Sequence, residues 1–227
     1  MNKLWLLETV YRRPIQIFDE LNKRATFRQF VATKFSHARE LPEQRDWDKN
    51  RFSLYEYLNQ EEIRGSAIDY LEFGVWEGAS LRRWVSLNTN PDSRFYGFDS
   101  FQGLPSDWND LAKKGTFDKQ GQTPIIADAR VRLQKGWFHD TLPGFLESFQ
   151  PEHRVVVHID CDIYASTLFV LTCLNRWLVP SSIVVFDEFY IVQHEYAAWR
   201  DFSQAYWRDA RALCFTPGYK QVALVME

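Results

Sequence analysis

Two glycines follow an acidic residue where an apolar stretch of this chain ends. Glu72, Gly74 and Gly78 lie in the segment YLEFGVWEGASL, residues 70–81. Glycine adopts backbone angles closed to other residues and leaves room for a ligand beside the main chain, and a helix starting near Gly78 offers unpaired N–H groups. A carboxylate suits the ammonium of a bound amino acid better than it suits phosphates. The pattern predicts a cradle for a ligand with an amino-acid end.

The spacing of the glycines bears on which ligand this is. A dinucleotide-binding turn has the pattern G-x-G-x-x-G, but Trp76 stands at the middle position and leaves no bare turn for a pyrophosphate. An NAD-linked oxidoreductase is therefore disfavoured. A class I methyltransferase binds the amino-acid end of S-adenosylmethionine at such a turn, and this is the interpretation we favour. An ordinary glycine turn of another α/β protein stays open.

A second acid ends the next apolar stretch. Residues 94–98, RFYGF, have the pattern of a strand that ends in Asp99, 27 residues after Glu72. An acid at the end of the second strand of a βαβ unit can accept both ribose hydroxyls, whether of S-adenosylmethionine or of NAD. Asp99 therefore predicts a nucleoside without identifying it.

Four more acids lie at or just after the ends of two apolar runs, VVVHID and SIVVFDE. These are Asp160 and Asp162, and Asp187 and Glu188. Ligands of open α/β sheets lie beyond the carboxyl ends of the strands, and gathered carboxylates need a cation, a shared proton or hydrogen bonds. We expect Mg²⁺ at Asp160, Asp187 and Glu188. For Asp162 we expect an N-cap of the helix over residues 164–178.

Asp160 also meets a chemical requirement for methylating an alcohol. A hydroxyl is a weak nucleophile until its proton leaves, so a base or a metal is needed beside the sulfonium, in a pocket that excludes water. Asp160 can serve as base and as metal ligand. A metal-independent enzyme, with Asp160 or His139 as the only base, stays open. We expect His194 and Glu195 to be surface or lid residues, and a contact of Glu195 with the acceptor stays open.

Composition narrows the function classes. With 227 residues, 45% hydrophobic and 25% charged, the chain suits one α/β domain. A net charge of -3 gives no basic excess, so we expect a small-molecule substrate, no nucleic acid and no membrane. Three scattered cysteines suit a reducing compartment, and the apolar run over residues 4–10 lacks a cleavage pattern, which favours the cytoplasm.

The elements that position these residues follow from hydrophobic periodicity. Residues 1–65 are predicted to form a helical extension or lid, with Phe27, Phe30, Val31 and Phe35 on one apolar face and a second helix over 52–63. Residues 66–227 alternate strand and helix, which predicts a Rossmann-like, mostly parallel, seven-stranded sheet with a C-terminal antiparallel hairpin. The predicted strands are 67–73, 94–98, 131–135, 154–160, 182–187, 211–215 and 219–226.

Five ordered blocks between residues 66 and 190 carry a family resemblance: YLEFGVWEGAS (70–80), FYGFDSFQGLP (95–105), KGWFHDTLP (135–143), HIDCDIYAST (158–167) and VVFDEFY (184–190). Together they resemble the macrocin O-methyltransferase, or TylF-like, family of class I methyltransferases. The resemblance implies S-adenosylmethionine as methyl donor, Mg²⁺ beside the acceptor, and a sugar hydroxyl of a glycosylated natural product or surface glycan as acceptor. A noncatalytic S-adenosylmethionine-binding protein, or a homo-oligomer joined through the N-terminal helices, stays open.

The resemblance also implies roles for single residues. Glu188 departs from the family, which usually has an Asp-Asp pair there, and its longer side chain leaves the metal requirement open. The matched residues are Glu72, Gly74, Gly78 and Ser80 for the donor's amino-acid end, Asp99 and Ser100 for ribose, Gly136, Trp137 and Phe138 for adenine, and Asp160, with Asp187 and Glu188, for base and metal.

Overall fold

The computed structural model describes the chain from Lys3 to Glu227, with the side chains of Pro14 and of residues 17–227. The described chain contains six α-helices and eight strands. The helices are α1 (Lys3–Lys34), α2 (Trp47–Tyr57), α3 (Ala79–Leu87), α4 (Phe138–Ser148), α5 (Tyr164–Leu174) and α6 (Glu195–Ala205). The strands are β1 (Arg39–Glu40), β2 (Ile68–Phe73), β3 (Arg94–Asp99), β4 (Val131–Lys135), β5 (Arg154–Ile159), β6 (Ile183–Phe186), β7 (Ala210–Phe215) and β8 (Val222–Met226).

All eight strands form one sheet in the order β1-β7-β8-β6-β5-β2-β3-β4. Strands β2 to β6 pair in parallel, and β8 runs antiparallel to both β6 and β7, which confirms the predicted hairpin. The predicted count of seven strands is wrong by one, because the two-residue β1 adds a parallel edge beside β7. Strand β2 lies between β3 and β5, so the strand order reverses there and a crevice opens above these carboxyl ends.

Helices cover both faces of the sheet, as a mostly parallel sheet requires. Leu71 and Phe73 of β2 pack towards α4, α5 and α6, whereas Tyr70 packs towards α2 and α3, against Tyr55 and Trp84. Much of the aromatic content lies in these two layers. The helix-covered strands β5 and β6 are buried along nearly their whole length, which confirms their interpretation as central strands.

The N-terminal extension contributes to the same core. Phe27 and Phe30 contact Phe189 and Tyr196, which confirms the predicted apolar face of α1. Leu54 and other side chains of α2 and of the following π-helical turn Leu58–Ile63 are buried beneath the sheet. The boundary at residues 65 and 66 stays a prediction. The side chains of the apolar run over residues 4–10 lie outside the described residues.

No helix in the described part of the chain has the length and apolar character needed to cross a bilayer.

Candidate active site

A cavity of about 790 Å³ opens above the carboxyl ends of β2 and β5. Predicted site residues meet there from the ends of five strands, β2 to β6. Those that line it are Gly74, Asp99, Ser100, Trp137, Phe138, Asp160, Asp187 and Glu188. Among the described residues, Glu72, Gly78, Ser80 and Gly136 belong to the segments beneath this lining and not to the lining itself.

Backbone packing within the chain requires a glycine at position 74. Its φ is +98°, and a Cβ built on it would lie 1.7 Å from the carbonyl oxygen of Asp160. The loop after β2 therefore passes directly against the loop after β5. Gly78, at φ +77°, precedes the first residue of α3, and a Cβ there would lie 3.2 Å from Pro124. The sequence interpretation assigned this space to a ligand, but at Gly74 the backbone of Asp160, in the adjacent loop, fills it.

Asp99 fixes the loop over residues 74–78. One carboxylate oxygen accepts the backbone N–H groups of Val75 at 2.9 Å and Trp76 at 2.7 Å, and the other accepts that of Phe101 at 2.7 Å. A carboxylate has about four acceptor sites, so this side chain can accept a further donor from the cavity that it lines.

Glu72 lies buried at the end of β2, where it accepts the hydroxyl of Tyr70 at 2.5 Å. The Tyr70 oxygen lies 3.0 Å from His158 Nδ1, and His158 Nε2 lies 3.2 Å from the hydroxyl of Tyr55. Because the carboxylate accepts the hydroxyl hydrogen of Tyr70, His158 Nδ1 is the donor to the Tyr70 oxygen. The chain of hydrogen bonds ties α2 to β5 and β2. Contact of Glu72 with the donor stays a prediction.

Three acids converge at the inner end of the cavity, where Asp160, Asp187 and Glu188 place one oxygen each within 4.8 Å of one another. Asp187 Oδ1 and Glu188 Oε2 are buried, and no group of the described chain hydrogen-bonds to them. Burial, and then the charge of Asp187, raise the pKa of Asp160 and of Glu188 well above the usual range. Hard oxygen ligands with unpartnered atoms fit a divalent cation such as Mg²⁺.

Two residues of α2 contact this acid cluster, and neither was predicted from the sequence. Arg51 Nη1 lies 3.4 Å from Asp160 Oδ2 and 3.5 Å from Asp187 Oδ2, and its Nη2 lies 2.8 Å from Asp48. The indole Nε1 of Trp47 donates to Asp187 Oδ2 at 3.1 Å. The only signal in the sequence was the spacing of four residues, which places Trp47 and Arg51 on one helix face.

Asp162 lines the cavity and does not cap α5, so the N-cap prediction is wrong. The N-cap position belongs to Ile163, without a side-chain hydrogen bond. Asp162 has a φ of +62°, an angle that Asp tolerates better than most residues. Burial, followed by the charges of Asp187 and Asp99, raises its pKa to about 7. A carboxylate between these two acids is suited to a cationic ligand.

Glu195 is a buried support of the acid cluster, so its prediction as a surface or lid residue is wrong. Its Oε2 accepts the backbone N–H of Glu188 at 2.9 Å, which fixes the main chain at that acid. His139 lies on the exposed rim beside Asp140.

A known family matches the part of the chain that builds this cavity. Residues 71–189, more than half of the 227, match a family described as a methyltransferase domain. The chain belongs to this methyltransferase domain family. The match confirms the prediction that the chain is a methyltransferase. Together with the relatives described below, it also confirms the TylF-like resemblance.

Two relatives of this methyltransferase domain are named as O-methyltransferases. The 8-demethyl-8-(2,3-dimethoxy-alpha-L-rhamnosyl)-tetracenomycin-C 4'-O-methyltransferase of Streptomyces olivaceus is 30% identical over 54% of this chain and 53% of its own length. The demethyldecarbamoylnovobiocin O-methyltransferase of Streptomyces niveus is 25% identical over 81% of this chain and 76% of that protein. The alignment thus spans about half of the first relative and about three quarters of the second.

Solved structures of methyltransferases share the fold. The O-methyltransferase NovP superposes with a TM-score of 0.60 at 21% identity, over 78% of this chain and 79% of that one. The calicheamicin methyltransferase CalS11 gives 0.62 at 21% identity, over 91% and 92%. This likeness confirms the predicted Rossmann-like methyltransferase fold.

His194 ties a wall of the methyltransferase cavity to α5. Its Nδ1 accepts the backbone N–H of Tyr164 at 3.2 Å, and its Nε2 donates to the carbonyl of Trp108 at 3.0 Å. Trp108 belongs to the long segment between β3 and β4 and lines the cavity. The half-buried His194 is therefore a positioning residue; its prediction as a surface residue is wrong, and its prediction as a lid residue stays a prediction.

We expect this tie to weaken as the pH falls. Burial lowers the pKa of His194 below its ordinary value, and Lys23 lowers it further against the opposing effect of the Trp108 carbonyl. The contact is therefore fully present above about pH 6.5, the unfolded value, and is lost as the pH falls towards the folded pKa. Hydrogen exchange of residues 104–116, corrected for intrinsic rates, should rise between pH 7.5 and 5.5. The His194→Ala variant should exchange fast at both values, and an equal pH response in both proteins would contradict the assignment.

Proposed function

We propose that this chain transfers a methyl group from S-adenosylmethionine to a hydroxyl oxygen of a small molecule, and that the acceptor is a sugar or a glycosylated compound. The observation that supports this most strongly is a single cavity that brings Asp99, the acid expected at ribose, together with Asp160, the acid expected at the acceptor. Membership of the methyltransferase domain family and relatives named as O-methyltransferases support the same reaction.

The donor would occupy the half of the cavity above β2 and β3. Bound S-adenosylmethionine would supply a methyl group on a cationic sulfur. Asp99 and Ser100 would accept the ribose hydroxyls, and Trp137 and Phe138 would enclose the adenine. Asp162 would face the cationic end of the donor, which explains a carboxylate held in the cavity. Glu72, Gly78, Ser80 and Gly136 would support these contacts from beneath.

Asp160 would remove the proton from the acceptor hydroxyl. Its carboxylate lines the cavity, and a carboxylate placed beside the hydroxyl can take the proton as a general base. Asp160, Asp187 and Glu188 would hold Mg²⁺, whose charge would stabilise the oxygen as it loses its proton. With both substrates bound, the aromatic walls would limit the access of water, which could otherwise accept the methyl group.

The acceptor would bind in the part of the cavity next to Asp160, between α2 and the segment after β3. Trp47, Trp108 and Tyr190 line the cavity and would contact the acceptor there. Flat aromatic faces pack against the apolar faces of sugar rings, and their polar edges remain free for hydrogen bonds. This arrangement supports a sugar more strongly than it supports an extended aliphatic alcohol.

Calorimetric titration with S-adenosylhomocysteine, with Mg²⁺ and with EDTA, tests the donor site. We expect saturable binding near the micromolar range, about -8 kcal/mol. Methyl transfer to a panel of glycosides is then measured in both conditions. Loss of transfer in EDTA would support the magnesium site, and unchanged transfer would favour a metal-independent enzyme. Absence of donor binding in both conditions would overturn the proposed function.

The Asp162→Asn variant tests the cationic end of the donor site. Asparagine tolerates a positive φ, so the loop should keep its shape. We expect the Kd for S-adenosylhomocysteine to rise by about tenfold, since a hydrogen bond to a charged group contributes about 1.5–3 kcal/mol. Asp140→Asn, which removes an exposed acid next to His139, is the control. Equal affinities in the two variants would remove Asp162 from the donor site.

A further inference from the structure

One guanidinium nitrogen of α2 touches two of the acids that would hold the cation. Arg51 Nη1 lies 3.4 Å from Asp160 Oδ2 and 3.5 Å from Asp187 Oδ2, and Trp47 Nε1 donates to the same oxygen of Asp187. A divalent cation at the acid cluster would take one oxygen from each of these carboxylates. The contacts of α2 therefore lie on the carboxylates that would hold the cation.

The contact between Arg51 and the two acids is loose. Charge-assisted hydrogen bonds have lengths of about 2.7–2.9 Å, and both Arg51 contacts are longer. Among the described residues, only Asp48 lies at an ordinary ion-pair distance from Arg51, with 2.8 Å between Asp48 Oδ1 and Arg51 Nη2. Asp187 Oδ1, Glu188 Oε2 and Arg51 Nε are buried, and no hydrogen bond from the described residues reaches any of them. One shared positive charge thus leaves the cluster incompletely neutralised.

A cation at the three acids would repel the guanidinium beside it. Arg51 cannot relieve this repulsion by losing its proton, because an arginine stays charged in proteins. It must move, and Asp48, which is 58% exposed at the start of α2, already holds its outer nitrogen. The N-terminal turn of α2 also carries Trp47, which lines the cavity beside Tyr190. Displacing Arg51 would therefore change the acceptor side of the cavity.

We propose that Arg51 is the counter-ion of Asp160 and Asp187 when no divalent cation is bound, and that cation binding displaces it and loosens the first turn of α2. The inference rests on the magnesium site of the proposed function. The two contacts are thermodynamically coupled. The contact of Arg51 with the acids lowers their affinity for the cation, and cation binding weakens the Arg51 contact by the same factor. Arg51 thus sets the cation affinity of this chain.

Calorimetric titration with Mn²⁺, with neither donor nor acceptor present, tests this inference. Arg51→Met removes the competing charge and keeps an unbranched side chain. Lys49→Met removes the same charge from an exposed position of the same helix. We expect Arg51→Met to bind Mn²⁺ about tenfold more tightly than the wild type, within the usual range of coupling factors. Lys49→Met should bind like the wild type. A second variant, Arg51→Gln, together with thermal melting, shows whether the result depends on a fold defect.

The outcomes separate the inference from the function that it rests on. Equal or weaker Mn²⁺ binding in both Arg51 variants, with wild-type melting, overturns the inference and leaves the cation site in place. Absence of Mn²⁺ binding in every protein overturns the inference together with the magnesium site, whereas binding of S-adenosylhomocysteine, measured separately, would still support the donor site. Tighter binding that Asp187→Asn then abolishes supports the inference. Faster hydrogen exchange of residues 47–51 on adding Mn²⁺ to the wild type supports the displacement of α2.

Discussion

The Asp160→Asn variant is expected to lose about a thousandfold in kcat while its Kd for S-adenosylhomocysteine stays close to that of the wild type. A positioned general base contributes about 10²–10⁴-fold to a proton-transfer step, and asparagine cannot accept the proton. The substitution keeps the size of the side chain, and it removes a negative charge from a cluster whose acids raise one another's pKa. The fold should therefore tolerate it. Single-turnover methyl transfer to a glycoside, with calorimetry for the donor, measures both quantities.

Asp140→Asn is the matched control for this variant. It makes the same chemical change in the wall segment that continues from Trp137, at a side chain that remains exposed. We expect its kcat to equal that of the wild type. Retained turnover in Asp160→Asn would place the base elsewhere, and His139, which lines the rim of the cavity, would then be the next residue to replace.

The sheet was predictable because its strands follow simple patterns. The apolar runs that became β5 and β6 are buried on both faces, and this burial makes such runs conspicuous in a sequence. The short connection between β7 and β8 predicted their antiparallel pairing. Strand β1 has two exposed residues, so it has no pattern to read, and it exists because the edge of β7 offers free backbone groups.

The site was predictable where strand ends determine it and not where distant contacts do. Asp160 and Asp187 follow neighbouring parallel strands, so topology alone brings them together. The sequence pattern of helix caps gave a wrong N-cap prediction at Asp162. This residue has a positive φ and its side chain lines the cavity. Arg51 reaches acids more than a hundred positions later in the chain, and no local pattern describes such a contact.

Gly74 shows how one residue can be identified correctly for an incomplete reason. The sequence interpretation was that glycine leaves room for a ligand, but in the structure the backbone of Asp160 occupies the space where a Cβ would stand. This close approach joins the donor loop after β2 to the proposed catalytic acid after β5. The position of Asp160 therefore depends on the absence of a side chain at residue 74.

Gly74→Ala is accordingly expected to destabilise the fold by about 4 kcal/mol, which combines overpacking with a positive φ that alanine disfavours. The added Cβ would lie 1.7 Å from the carbonyl oxygen of Asp160 and 2.7 Å from its carbon, so one of the two loops must move. Urea denaturation measures the change in the free energy of unfolding. Any folded fraction should also lose methyl transfer, because the displaced loop carries Asp160.

The Gly115→Ala variant separates the cost of the positive φ from the cost of overpacking. Gly115 also has a positive φ, of +84°, but a Cβ there would meet no atom of the described residues within 4 Å. We expect this variant to lose only the cost of the backbone angle, about 1 kcal/mol, and to keep its activity. The excess loss in Gly74→Ala then measures the contact between the two loops. Equal losses in both variants would mean that the loops separate at little cost, and the position of Asp160 would then have to depend on Arg51 and the neighbouring acids instead.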